Sequence, residues 1–313
     1  MRLVFLGTPE FAVPTLERAA AAGHSIAAVF TQPDRPAGRG GKLSAPPVKQ
    51  AALALGIPVH QPAKIRTPEV HELLRSFGAE AFVVVGYGKI IPQSIIDIPP
   101  RGIINVHASL LPKYRGAAPI QWAVANGETR TGVTTMRIDA GLDTGAILLQ
   151  SATEVGLEET AVELSARLAH MGADLLVKTL AGLSEGTIEP RPQDESEASY
   201  APVLKKEDGL IDWAQPAPAI NNRIRGFQPW PGCYTHFRGR LLHIWRARAA
   251  AGDAGGAAGS LRPAKGSLAV VCGGGTSLQL LELQLEGGRR MDAPAFLNGQ
   301  RVKENELLGE KIK

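Results

Sequence analysis

The chain has 313 residues, 44% of them apolar and 20% charged, with a net charge of +4. That length passes the roughly 250–300 residues at which one core stops growing, so two domains are expected. No apolar run reaches the ~18 residues of a membrane span, and two cysteines, Cys233 and Cys272, imply no disulfide framework, which together predict a cytoplasmic protein with no membrane partner.

The chain opens directly on an apolar strand, RLVFLG at 2–7, with no leader-like apolar region before it. FAVPTLERAAAAG (11–23) reads as a helix closed by Gly23, SIAAVFTQ (25–32) as a strand, and PVKQAALALG (47–56) as a helix ending at Gly56. After PVHQ (58–61), TPEVHELLRSFG (67–78) is a helix with Thr67 as N-cap and Pro68 at its first position. AFVVVGYG (81–88) and GIINVHA (102–108) are strands on either side of a short helix near 93–97. APIQWAVANG (118–127) is helical, GVTTMRID (132–139) is a strand, and Leu164, Leu168, Leu175 and Leu176 mark a long amphipathic helix over 159–183. Strands alternating with helices predict βαβ units and a doubly wound, mostly parallel sheet covered on both faces.

Around 188–206 the pattern breaks into Pro, acid and Ser, the composition of a linker or surface crossing. Beyond it CYTHF (233–237), LLHIWRA (241–247), SLAVVC (267–272) and SLQLLELQL (277–285) are short strands between Gly-rich turns, which suggests a small β-barrel. The expected domains are therefore 1–189, a linker at 190–205, and 206–313. From residue 204 onward, 16 Lys and Arg face 10 Asp and Glu, a charge of +6, against −2 for the rest. A basic appendage on a near-neutral body hints at a polyanionic partner.

The most informative stretch is GIINVHASLLPKYRGAAP (102–119). It puts Asn105 and His107 two residues apart on one face, at the carboxyl end of a strand, where open α/β sheets bind ligands. Asp139 and Asp143 follow the end of a strand expected alongside it. An amide, an imidazole and a carboxylate suit attack on a carbonyl, with Asn105 donating to a developing oxyanion and His107 moving a proton. Taken singly, each has a plainer reading. A His near a strand end is more often structural, an Asp before Thr-Gly often only makes a turn, and Asn105 could serve loop backbone. No HExxH or clustered Cys/His spacing supports a metal, and GxGxxG and GxxxxGK[ST] are absent.

NVHASLLPKYRGAAPIQWA together with GLDTG resembles the formyltransferases that use 10-formyltetrahydrofolate, through N-x-H-x-S-L-L-P-x-x-x-G with an Asp 36 residues beyond the His. LGTPEFAVPTL, TQPDRPAGRGGKL, VVVGYGKIIP, IDW and GFQPWPGCYT narrow it to members acting on methionylated initiator tRNA. The resemblance implies Asn105, His107 and Asp143 as catalytic residues and formyl-folate as co-substrate, with no metal. It implies a folate site lined by Ser109, Leu110, Leu111, Pro112, Gly86, Tyr87, Ile90, Ile91, Asp139 and Leu142. It also implies a mobile loop over 31–49 that reaches the tRNA acceptor end through Arg35, Arg39 and Lys42. An OB-like barrel would add Lys205, Lys206, Arg223 and Arg225, and the family pattern implies a monomer. Trp230, between two prolines, reads as packing rather than as a stacking platform. Formyl transfer to a small-molecule amine, or hydrolysis of the formyl-folate, shares the same catalytic trio and is the alternative. A tRNA-binding module on a decayed scaffold is the non-enzymatic one.

Overall fold

The computed structural model describes residues 1–37, 42–250 and 255–309. They fall into two compact units. The first takes Met1–Pro119, Arg130–Glu154 and Ser165–Ala201; the second takes Ile120–Thr129, Val155–Leu164 and the described residues from Pro202 onward.

In chain order the first unit begins β1 (Arg2–Gly7), α1 (Val13–Ala21), β2 (Ser25–Phe30), β3 (Arg35–Ala37), β4 (Lys42–Ser44), α2 (Pro47–Ala54) and β5 (Val59–His60). It continues with α3 (Pro68–Ser76), β6 (Ala81–Val85), α4 (Gln93–Ile96), β7 (Ile103–His107) and β8 (Arg115–Gly116). After α5 (Pro119–Ala125), which past Pro119 belongs to the second unit, come β9 (Arg130–Arg137), β10 (Ile147–Glu154), α6 (Ala161–Glu185), of which the first unit takes Ser165 onward, and β11 (Tyr200–Ala201). Seven strands form one sheet in the order β10-β9-β7-β6-β1-β2-β5. The pairs from β5 to β7 are parallel, whereas β9 and β10 run antiparallel.

Alternation along the central strands builds two cores. Leu3, Phe5, Val83, Val85, Ile104 and Val106 meet Leu16 of α1, Val48 of α2 and Leu176 of α6 on one face. Val4, Leu6, Phe82, Val84 and Ile103 meet Leu74 of α3 and Ile95 of α4 on the other. Strands buried on both faces carry no polar alternation, which is why they read as continuous apolar runs. The sheet is thus doubly wound, as expected. β10 differs because it is an edge: past Ile147 and Leu148 its residues alternate between half-buried and exposed.

The second unit holds α7 (Ala217–Gly226), β12 (Cys233–Phe237), β13 (Arg240–Ala250), β14 (Leu261–Ala264), β15 (Ser267–Val271), β16 (Ser277–Leu285), β17 (Met291–Asp292) and α8 (Ala293–Gln300). Its strands make one antiparallel sheet in the order β12-β13-β16-β15-β14, with β17 on β16. Both edges are covered, β12 by Leu210 and β14 by backbone bonds between Leu261 and residues 305–306. Covered edges deny pairing to other chains.

Candidate active site

At the end of β7, Ile104 and Val106 enter the first core and Ile103 the second. Asn105 and His107 therefore share the second face by alternation. Both are nearly sealed, at 8% and 6% exposure. His107 Nε2 lies 2.9 Å from the Tyr114 carbonyl oxygen, which can only accept, so Nε2 carries a proton and donates it. Nδ1 lies 3.7 Å from Asp143 Oδ2. The neutral ring keeps its lone pair at Nδ1, where an added proton would face a carboxylate. The Asn105 amide has no hydrogen-bond partner among the described residues. A near-buried donor of that kind is poised for a ligand atom.

Asp143 arrives by a route the sequence did not suggest. Because β9 is antiparallel, Arg137 at its end pairs with Ile104, while His107 pairs with Thr134. Asp139 and Asp143 thus do not leave a neighbouring strand beside the carboxyl end of β7. The loop 138–146 turns back to deliver Asp143. Asp139 makes that turn: its Oδ1 accepts from the Gly141 N–H at 3.0 Å and from Thr144 Oγ1 at 2.7 Å. Asp143 adopts φ 53°, and its Oδ2 accepts from the Gly116 N–H at 2.8 Å. Gly116 is obligatory at that point. It has φ 120°, and a Cβ there would stand 2.7 Å from Ala201 O.

The residues expected around a folate divide into two sets. Ile90 and Leu142 are presented outward, at 75% and 60% exposure, with exposed Gly86 nearby in sequence and Leu110 half-buried. Tyr87 and Ile91 belong to the second core, and Leu111 packs with Met136 and Ile147. Ser109 is sealed and its Oγ donates to Lys113 O at 2.5 Å, while Pro112 is also buried. Ser109, Tyr87, Ile91 and Leu111 therefore shape the loops from inside. The backbone of these loops is tied down by residues the sequence reading passed over. Thr8 Oγ1 and Gln32 Nε2 donate to Tyr87 O, and Thr134 Oγ1 donates to Ser109 O and accepts from Leu111 N. Ordinary Thr and Gln side chains at strand ends carry no sequence signal of such contacts.

Within the segment 31–49, expected to be a mobile loop, the described residues include the paired strands β3 and β4 and the start of α2. Its stem is closed by Asp34, which accepts from Gln61 Nε2 at 2.7 Å and Lys49 Nζ at 2.8 Å. The bonds from Gln61 and then Lys49 hold its carboxyl below the usual carboxylate range. Arg35 is exposed on β3. Arg39 lies outside the described residues, as does the side chain of Lys42.

In the second unit Lys205 and Lys206 are exposed. Arg223 is half-buried; it donates to Asp208 O at 2.7 Å and lies 4.8 Å over the Phe227 ring. Arg225 corrects the expectation of a tRNA contact. It is buried, with Nη1 donating to Gly156 O and Glu159 O and Nη2 to Asn222 Oδ1. Trp230, read from the sequence as packing between domains, is 55% exposed. Among the described residues no group of three or more His, Cys, Asp and Glu side chains is placed to hold a metal, and no helix is long and apolar enough to cross a membrane.

Residues 1–180 match the family model for formyl transferase, and residues 203–301 match that for its C-terminal domain. The chain belongs to the formyl transferase family. A methionyl-tRNA formyltransferase of Solibacter usitatus is 65% identical, with 99% of each chain covered. One of Koribacter versatilis is 56% identical, again over 99% of each. Among solved structures, the sugar 3N-formyl transferase WlaRD, determined with dTDP and 5-N-formyl-THF, covers 92% of this chain and 99% of its own. Its TM-score is 0.68 and its identity 18%. An N-formyltransferase of Helicobacter canadensis in complex with folinic acid and dTDP-3-aminofucose covers 89% and 98%, with TM-score 0.65 and 19% identity. These two share the fold of this formyl transferase.

Proposed function

We propose that this formyl transferase moves the formyl group of 10-formyltetrahydrofolate to the α-amine of methionyl initiator tRNA, as a cytoplasmic monomer. The acceptor rests on full-length relatives that are methionyl-tRNA formyltransferases. The chemistry rests on one observation above all: a near-buried, unpartnered Asn105 amide beside an imidazole whose Nδ1 faces a carboxylate.

The α-amine attacks the formyl carbon, a C–N bond forms, and the carbonyl oxygen becomes an oxyanion. Asn105 donates to that oxygen; a donor fixed in place needs no reorganisation as charge develops. The proton lost by the amine is taken at His107 Nδ1, where Asp143 stabilises the imidazolium, and is returned to N10 as the C–N10 bond breaks. The Gly116 N–H bond to Asp143 Oδ2 keeps the carboxylate turned toward the ring. Arg35, Arg39 and Lys42 meet the tRNA acceptor end, and Lys205 and Lys206 meet phosphates along the arm. Ile90 and Leu142 flank the pterin of the folate, with loop backbone reading its polar edge.

Formyl transfer is measured with initiator Met-tRNA, elongator Met-tRNA and free methionine as acceptors, for the native chain and His107→Ala. Formylation confined to initiator tRNA and abolished by the substitution supports the whole reading. Consumption of formyl-folate without any tRNA product would replace it by hydrolysis or small-amine transfer.

A further inference from the structure

The stretch 190–205 has the composition of a linker, yet residues 191–201 are stitched along the loop that follows β7. Arg191 exchanges backbone bonds with Ile147, Ser199 N donates to Pro112 O, Arg115 N donates to Ser199 O, and Ala117 N donates to Ala201 O. Within this strap two side chains reach the two neighbours of His107. Ser199 Oγ accepts from Tyr114 N at 2.9 Å, next to the carbonyl that receives Nε2–H. Gln193 Nε2 donates to Asp143 O and Gly145 O, both at 2.8 Å.

Gln193 cannot turn over. Its Oε1 accepts from Arg115 Nε at 3.0 Å and Nη2 at 2.8 Å, and a flipped amide would set N–H against N–H. Arg115 is itself sealed and locked by a two-pronged pair with Glu195, at 2.8 and 2.7 Å. Its hydrogen bonds hold the Glu195 carboxyl below the usual range. Tyr114 and Asp143 both have left-handed backbones, at φ 60° and 53°. Such conformations are strained for residues other than glycine and persist only where surroundings over-determine them. At Asp143 the surroundings are the Gly116 N–H on its side chain and Gln193 on its carbonyl.

We propose that Gln193, oriented by Arg115, is a positioning residue for formyl transfer: it holds the backbone of Asp143 so that the carboxylate stays aimed at His107 Nδ1. The proposal rests on the reading of Asn105, His107 and Asp143 given above. A displacement of about 1 Å at a reacting group can cost about 10²-fold in rate. The effect falls on turnover, because Gln193 has no reason to touch either substrate.

The test is steady-state kinetics of full-length Gln193→Ala and Gln193→Glu, alone and combined with Asp143→Asn, together with thermal melting and the pH profile of kcat. Gln193→Ala should lower kcat about 10–10²-fold, with KM for formyl-folate and Met-tRNA within about twofold and the melting temperature nearly unchanged. Gln193→Glu should do no better, since a carboxylate still accepts from Arg115 but donates nothing to Asp143 O. The pH profile should change shape as the His107–Asp143 geometry loosens. In the Asp143→Asn background, Gln193→Ala should add no further loss. Wild-type turnover in either variant, or full additivity with Asp143→Asn, overturns the proposal. Should Gln193→Ala fail to fold, Gln193→Glu decides. If Asp143→Asn is itself fully active, the site reading fails first and the proposal with it; if only the Gln193 variants are active, the site reading stands.

Discussion

In the first unit the polar groups around His107 are held on every side. Nε2 is bonded to Tyr114 O, Asp143 to the Gly116 N–H, and the nearby Arg115 is buried in its pairing with Glu195. In the second unit Lys205 and Lys206 stand exposed, while Arg225, two residues from half-buried Arg223, is enclosed by its own backbone contacts. The difference follows from the task. Carbonyl chemistry needs groups aimed within fractions of an ångström, so His107 and Asp143 are each fixed by a bonded neighbour and Asn105 by its burial. Phosphate steering acts over a Debye length of about 8–10 Å, and a loosely held cation suffices. Charge at a position therefore says little about function until the burial of that charge is known.

The largest effect expected from breaking the held region is at Asn105. Asn105→Ala should lower kcat/KM for formylation by about 10²–10³ while folding is preserved, read by initial rates and circular dichroism. Gly116→Ala tests the other side. Its Cβ would meet Ala201 O and its φ of 120° is unfavourable to alanine, so Asp143 should shift and the rate fall about 10-fold or more, with a lower melting temperature. Arg225→Ala sharpens the contrast within the second unit. It should cost about 2–3 kcal/mol in denaturant unfolding, by leaving Glu159 O and Asn222 Oδ1 without their charged donor. The salt dependence of tRNA binding should be unchanged. Lys206→Ala should do the reverse, leaving stability alone and reducing the slope of log affinity against log salt by about 1. The smallest effect is at the cysteines. Burial pushes Cys233 up to about 12 and Cys272 up to about 11, so neither thiol should react with a disulfide reagent at pH 8 until the chain unfolds. Stability should decline above the ordinary thiol value of 9.0, where unfolded thiols ionise and folded ones stay neutral.

Much of this molecule is legible from local pattern. The apolar runs of β1, β6 and β7, the Thr67 cap whose hydroxyl accepts from Val70 N, and the leucines of α6 at helical spacing all follow from local sequence. So does the shared face of Asn105 and His107. β10 escaped because ILLQSATE reads as neither a buried run nor a clean alternation, its edge position giving it one wet side only partway along. Arg225 escaped because a helical Arg beside Arg223 looks like a basic face, and nothing within a turn of it reveals the carbonyls that enclose it.

By itself, then, the sequence determined the central strands and main helices of the first sheet, their order, the covering of both its faces and the His–Asn pair, since all of these depend on neighbours within a few residues. Tertiary structure alone decided that β9 runs against β7, that a returning loop brings Asp143 to His107, and that residues 191–201 brace the site instead of linking two domains. Those outcomes hang on hydrogen bonds and strand pairings between residues 27 to 85 apart in the chain, as from Gly116 to Asp143 and from Tyr114 to Ser199. Contacts at that range leave no periodic trace, because the residues making them are chosen by where the backbone returns and not by what stands beside them in sequence.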